Sequence, residues 1–108
     1  MRILGLVTVL TALSSAALAE PAHVQLTLKD HRFSPSTVTV PAGQLIEVEL
    51  INLDPSSEEF DSLDLNIEVD VTPKNRVRFQ VGPLKAGSYD FVGEYHSETA
   101  QGVIVAVE

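Results

Sequence analysis

From residue 24 onward apolar and polar residues alternate with a period of two, the spacing of a strand that buries one face. In Val24-Gln25-Leu26-Thr27-Leu28-Lys29 the apolar residues fall on alternate positions, and Thr37-Val38-Thr39-Val40 and Ile46-Glu47-Val48-Glu49-Leu50 repeat the pattern. The longest case predicts a strand over 63–71, where Leu63, Leu65, Ile67, Val69 and Val71 alternate with Asp64, Asn66, Glu68 and Asp70. Further strands are expected at 77–81, 88–92 and 103–107. Turn-forming groups separate these runs: Ser34-Pro35, Pro41-Ala42-Gly43, Asp54-Pro55, Thr72-Pro73, Gly82-Pro83 and Ala86-Gly87. No stretch has a convincing helical period. About seven short strands with frequent turns predict an all-β sandwich.

The first residues differ from the rest. Met1-Arg2 gives a positive start, residues 3–13 an apolar run, and Ala17-Leu18-Ala19 a small-residue cleavage signal before Glu20. This is the pattern of a secretory leader over residues 1–19, which implies an exported domain over 20–108 and a periplasmic location. The apolar run is shorter than the roughly 20 residues that span a bilayer, and Ser14-Ser15 interrupts it, so no membrane insertion is expected after cleavage.

Charge and cysteine content narrow the chemistry. Seven Lys and Arg stand against 15 Asp and Glu, a formal charge of −8, and losing Arg2 with the leader makes it −9. Such a surface repels nucleic acid and anionic lipid and attracts cations. With no cysteine there is neither a disulfide nor a thiolate ligand.

Strands that run up and down by turns bring every second loop to one end of a sandwich. The loops 31–36, 52–60 and 93–102 then share an end, and His31, Glu58, Glu59, Asp61, Glu94, His96 and Glu98 face one another unless a crossover within 61–82 intervenes. His23, in a short lead-in, is read as an ordinary terminal residue.

The segments Phe33-Ser34-Pro35, Val38-Thr39-Val40-Pro41-Ala42-Gly43, Asn52-Leu53-Asp54, Glu59-Phe60, Leu84-Lys85-Ala86-Gly87-Ser88-Tyr89-Asp90-Phe91, His96 and Gly102-Val103 come in an order that resembles the cupredoxins. The resemblance implies a cupredoxin-like Greek-key β-sandwich. In blue copper cupredoxins the ligands are a His, a Cys, a second His and a Met; by position these fall at Glu58, Gly93, His96 and near Gln101. Only His96 is retained, so the resemblance implies no type 1 blue copper centre. The chain is more similar to a cysteine-free branch: the cupredoxin-like domain of the periplasmic iron-transport component EfeO, and small proteins that accompany Ftr-type iron permeases. The shared stretches are Asp30-His31-Arg32-Phe33, Glu59-Phe60-Asp61-Ser62 and Gly93-Glu94-Tyr95-His96. That likeness implies periplasmic iron handling beside an inner-membrane iron permease complex, with an iron or copper ion as cofactor.

The expected metal ligands are therefore His31, Glu59, Asp61, Glu94 and His96. Imidazoles with carboxylates suit Fe(II), Mn(II), Cu(II) or Zn(II), and oxygen-rich sites favour Fe(III), which gives a route to ferrous oxidation. Each residue also has a plainer role. His96 can bond to backbone, and Glu59 and Asp61 can cap exposed amides. Glu58 and Glu98 rank lower, because acidic loop residues are common in so acidic a chain. Phe33, Phe60, Phe79, Tyr89 and Phe91 are expected in packing roles. Two other functions stay open: a copper carrier with a non-blue His and carboxylate site, and a metal-free module that docks a basic partner. Nothing in the chain points to a phosphate loop, a nucleophilic triad or a nucleic-acid surface.

Overall fold

The computed structural model describes residues 20–108 and the isolated Gly5; the expected leader otherwise lies outside the described residues. Nine strands follow in order: β1 Ala22–Lys29, β2 Arg32–Ser34, β3 Thr37–Pro41, β4 Ile46–Asn52, β5 Glu58–Ser62, β6 Ile67–Val71, β7 Arg76–Val81, β8 Gly87–Gly93 and β9 Gln101–Val107, with one short 3-10 turn at Glu94–His96. They form two sheets, ordered β2-β1-β4-β7 and β3-β9-β8-β5-β6. β1 lies parallel to β4 and β3 parallel to β9, while the other pairs are antiparallel. The expected all-β sandwich is present, with nine strands rather than about seven.

Alternation places the core between the sheets. Val24, Leu26, Leu28, Ile46, Val48 and Leu50 face inward from one sheet, and Val38, Val40, Phe60, Phe91, Ile104 and Ala106 from the other. Phe33 and Phe91 meet edge-on at 5.1 Å between centroids, and Phe60 lies 4.8 Å from Phe91 and 4.9 Å from Phe79. Phe33, Phe60 and Phe91 are buried and Phe79 and Tyr89 pack against them, as their sequence positions suggest.

Three expectations need correction. The strand predicted over 63–71 is broken: residues 63–66 are a turn in which Leu63 is 99% exposed and Asn66 has φ 53°, and only Ile67–Val71 is strand. Ser62 causes the break, because its Oγ accepts from the N–H of Leu65 while donating to the carbonyl of Asp90. The stretch 52–60 is not all loop, since β5 begins at Glu58 and pairs with both β6 and β8. β5 carries one apolar residue, Phe60, so it has no hydrophobic alternation to announce it. Likewise β2 occupies part of the expected loop 31–36.

Gly102 opposes Phe91 across β8 and β9, and a Cβ there would sit 2.2 Å from the Phe91 ring. The ring fills the space a side chain would take. Gly102→Ala is expected to destabilise the fold by roughly 1–3 kcal/mol through overpacking, read as a lower denaturation midpoint.

Candidate metal centre

The centre is built where three connections meet at one end of the sandwich. The turn between β1 and β2 has two central residues, Asp30 (φ 52°) and His31 (φ 58°), both left-handed as a tight hairpin turn requires. Neither is glycine, so the conformation needs support from elsewhere. Asp54 supplies it: one carboxylate oxygen accepts the N–H of Asp30 at 2.7 Å, and the other accepts that of His31 at 2.9 Å. Asp54 is itself buried, and its own N–H donates to Asn52 Oδ1. Burial alone would raise the Asp54 pKa, but the amides of His31 and Asp30, aided by the charges of His31 and Lys74, hold it below the ordinary value. Asn52 completes the frame by donating to the carbonyls of Ser56 and Thr72.

His96 comes from the 3-10 turn that follows β8. Its ring stacks on that of His31, with centroids 3.5 Å apart and planes 11° apart. The expected meeting of the loops is thus observed for the two imidazoles. The rings lie face to face. Ser56 Oγ lies 3.4 Å from His31 Nε2.

The acid that completes the pair is Glu58, which the sequence reading ranked low. It is 1% exposed, because it points inward on β5 in register with Phe60 and Ser62. One oxygen, Oε1, accepts the N–H of Glu59 at 3.0 Å and of Tyr95 at 2.8 Å. The other, Oε2, lies 2.6 Å from His96 Nδ1. An ionised carboxylate only accepts, so we assign the proton to Nδ1, which leaves Nε2 of the neutral ring as the free lone pair. The signal was present in Glu58-Glu59-Phe60: if Phe60 is core, Glu58 shares its face.

Glu59 and Asp61 take the opposite face of β5. They do not lie between the imidazoles, and period two is the reason. Together with Glu68 they present oxygens within 4.8 Å of one another. Glu94, exposed, joins Asp61 and Glu68 at the rim of the same hollow, with Leu63, Ile67 and Val92 as its apolar lining. Glu59 opposes Asp70 and Asp61 opposes Glu68 across the strands, like-charge pairs that are unfavourable in direct opposition. Asp61 Oδ1 is enclosed without a hydrogen-bond partner. The five expected ligands therefore divide into a His31 and His96 set and a Glu59, Asp61 and Glu94 set. Tyr95 joins the two: its N–H donates to Glu58, and its hydroxyl donates to Glu59 Oε2 at 3.3 Å. Glu98 is exposed, and Gln101 donates its side-chain N–H to the Ser97 carbonyl.

The Asp61 carboxyl is pushed up to about 7, first by burial, then by the adjacent carboxyls of Glu59, Glu68 and Glu94. A raised acid pKa means that the folded state holds a proton that the unfolded chain releases near 3.8. Asp61 thus lowers stability progressively as pH rises from about 3.8 to about 7. Asp61→Asn should remove that slope and give the more stable protein above pH 7 in metal-free buffer, as urea denaturation across this pH window would show.

A family model described as the cupredoxin-like domain matches residues 2–106. The chain belongs to the cupredoxin-like family. An uncharacterized protein of Rickettsia prowazekii (strain Madrid E) is 42% identical over 83 residues, which cover 77% of this cupredoxin-like chain and 66% of that protein. Among solved structures, the metal-binding domain of the Cu(I)-exporting P-type ATPase CopA of Streptococcus pneumoniae superposes with a TM-score of 0.71 at 15% identity, covering 80% of this chain and 85% of that one. Auracyanin A, a blue copper protein of Chloroflexus aurantiacus, gives 0.69 at 14% identity, covering 82% and 100%. Reduced auracyanin from Roseiflexus castenholzii gives 0.68 at 14%, covering 81% and 98%. At these identities the likeness establishes the Greek-key sandwich. Among the described residues no helix is long and apolar enough to cross a membrane.

Proposed function

We propose that this cupredoxin-like protein is exported to the periplasm after cleavage of residues 1–19 and binds a metal ion in a non-blue centre. His31 and His96 offer ring nitrogens to the ion at the end of the sandwich, and Glu58 orients His96 through its Nδ1. The reading is carried by the stacked imidazoles, 3.5 Å apart, with a buried carboxylate on one of them. Imidazole nitrogen suits a divalent ion such as Cu(II) or Fe(II), and there is no thiolate to make a blue site. When bound, the ion supplies a one-electron redox couple or a transferable cargo. The protein's own part is to fix both rings and exclude water beneath them.

The finer assignment extends the likeness to the cysteine-free iron-uptake branch. In it the protein receives, oxidises or delivers iron for an inner-membrane permease complex, and Glu59, Asp61 and Glu94 serve as the oxygen-rich station where Fe(III) is favoured. The like-charged pairs across β5 and β6 and the enclosed Asp61 oxygen support this use of the acidic face. A copper carrier is the second reading, favoured by the copper proteins among the structural neighbours. Titration of the purified protein with Cu(II) and Fe(II) under competition separates the two. Binding of either ion tighter than about micromolar, lost in His96→Ala, is the expected result. Unchanged binding in His96→Ala would end the metal reading.

A further inference from the structure

β6 and β7 are the end strands of their sheets, and they lie in contact on the same side of the sandwich. Residues 72–75 turn the chain between them, with the N–H of Asn75 donating to the carbonyl of Thr72, so the two strands run in opposite directions. Among the described residues each is paired on one edge only, β6 with β5 and β7 with β4. An open edge is a row of main-chain donors and acceptors ready for another strand. The core is also incompletely closed on this side. Ile67 and Val69 of β6 and Val77 and Phe79 of β7 take the inward face, yet all four keep part of their surface in water.

Charge decides what can cover this side. On the outward face β6 carries Glu68 and Asp70, and β7 carries Arg76 and Arg78, all exposed. Two β6 strands side by side would set acid against acid, and two β7 strands would set arginine against arginine. A β6 strand beside a β7 strand sets acid against arginine. Arg76 and Arg78 already meet Glu49, at 3.6 and 2.8 Å, but their side chains remain 63% and 66% exposed, and a guanidinium has five N–H donors to share.

We propose that this side of the sandwich docks a second copy of the chain, β6 of each copy adding to β7 of the other about a two-fold axis parallel to the strands. Rotation about such an axis preserves strand direction, so each β6 meets the other copy's β7 antiparallel. The contact is made twice, as a self-complementary interface requires. The same rotation brings outward face beside outward face, which places Glu68 and Asp70 next to the arginines of the other copy. Inward face likewise meets inward face, and Ile67 and Val69 close on Val77 and Phe79 of the other copy. Each five-stranded sheet thereby continues into a four-stranded one. The arrangement leaves the stacked imidazoles free and does not depend on the metal reading.

The test is sedimentation of the purified protein, with EDTA present so that no metal bridges two copies. Wild-type protein should show a concentration-dependent dimer at or below about 1 mM, since an interface of two strand pairs is small. Glu68→Arg with Asp70→Arg should weaken it at least about tenfold by opposing like charges across both strand pairs. Arg76→Glu with Arg78→Glu should do the same. Mixed in equal amounts, the two variants should form a one-to-one heterodimer, because each carries the charges that the other lacks. Should the second variant fail to fold beside Glu49, adding Glu49→Gln removes the crowding and keeps the test. Wild-type protein that stays monomeric to about 1 mM, or that dimerises only without EDTA, overturns the proposal. So do variants that dimerise as well as the wild type, or a mixture that yields no heterodimer.

Discussion

Glu58→Ala is expected to be the most damaging single change to both stability and metal binding. The carboxylate is 1% exposed and satisfies three donors: the N–H groups of Glu59 and Tyr95 and the Nδ1 of His96. Truncation leaves all three without their acceptor and opens a void under the stacked rings. Each buried donor left without its acceptor costs about 1–3 kcal/mol. Against a total of roughly 5–15 kcal/mol for a domain of this size, that is a large share. Thermal denaturation should register it at about 4–8 °C per kcal/mol.

Glu58→Gln separates shape from charge. Its carbonyl can still accept the two main-chain N–H groups, but its NH2 then faces Nδ1 of His96. That nitrogen must become the acceptor, so the ring proton moves to Nε2 and the lone pair offered outward is lost. The expected result is a small loss of stability with a large loss of metal affinity. Nitrogen chemical shifts of His96 would report the tautomer. A Glu58→Gln protein that keeps the Nδ1–H tautomer and full affinity would refute this assignment of Glu58.

Why the sequence revealed the imidazole pair but not its carboxylate can be traced to particular residues. His31 and His96 were legible because up-and-down strand order carries connections to a shared end whatever their sequence. The aromatic core was legible because large aromatic side chains bury their area wherever they stand, Phe91 in an expected strand and Phe33 and Phe60 in expected loops. Glu58 was hidden by its neighbours. Glu58-Glu59-Phe60-Asp61-Ser62 reads as acidic loop, and only pairing on both sides makes it a strand. Once it is a strand, alternation turns Glu58 inward and Glu59 and Asp61 outward, which divides the expected ligand set. The turn at 63–66 was hidden for the opposite reason. Leu63 and Leu65 continue the alternation of Ile67, Val69 and Val71, but Ser62 spends its hydroxyl on turning the chain. The left-handed pair Asp30-His31 lacks the glycine that usually signals such a turn, because its support comes from Asp54, 23 residues from His31.

That remote support yields the second large prediction. Asp54→Ala should unfasten His31 without touching any expected metal donor. Two main-chain N–H groups in left-handed conformation lose a charged acceptor, and each such bond contributes about 1.5–3 kcal/mol. Because non-glycine residues resist this conformation, the turn should relax and carry the His31 ring off that of His96. Stability should fall by on the order of 3 kcal/mol, and metal affinity by roughly 10–100-fold, the scale of losing a group that orients a ligand. Asp54→Asn keeps one acceptor and should fall between. The pH dependence has a definite sign. The Asp54 pKa is depressed in the folded state, so its contribution is present above the ordinary value of 3.8 and is lost as pH falls through the depressed one. Wild-type protein should therefore lose more stability than Asp54→Asn on acidification below about pH 4. Replacing both Asp30 and His31 by glycine supplies the left-handed turn without help, so adding Asp54→Ala to that pair should cost little. If the aspartate proves as costly there as in the wild type, its role is elsewhere than in holding the turn.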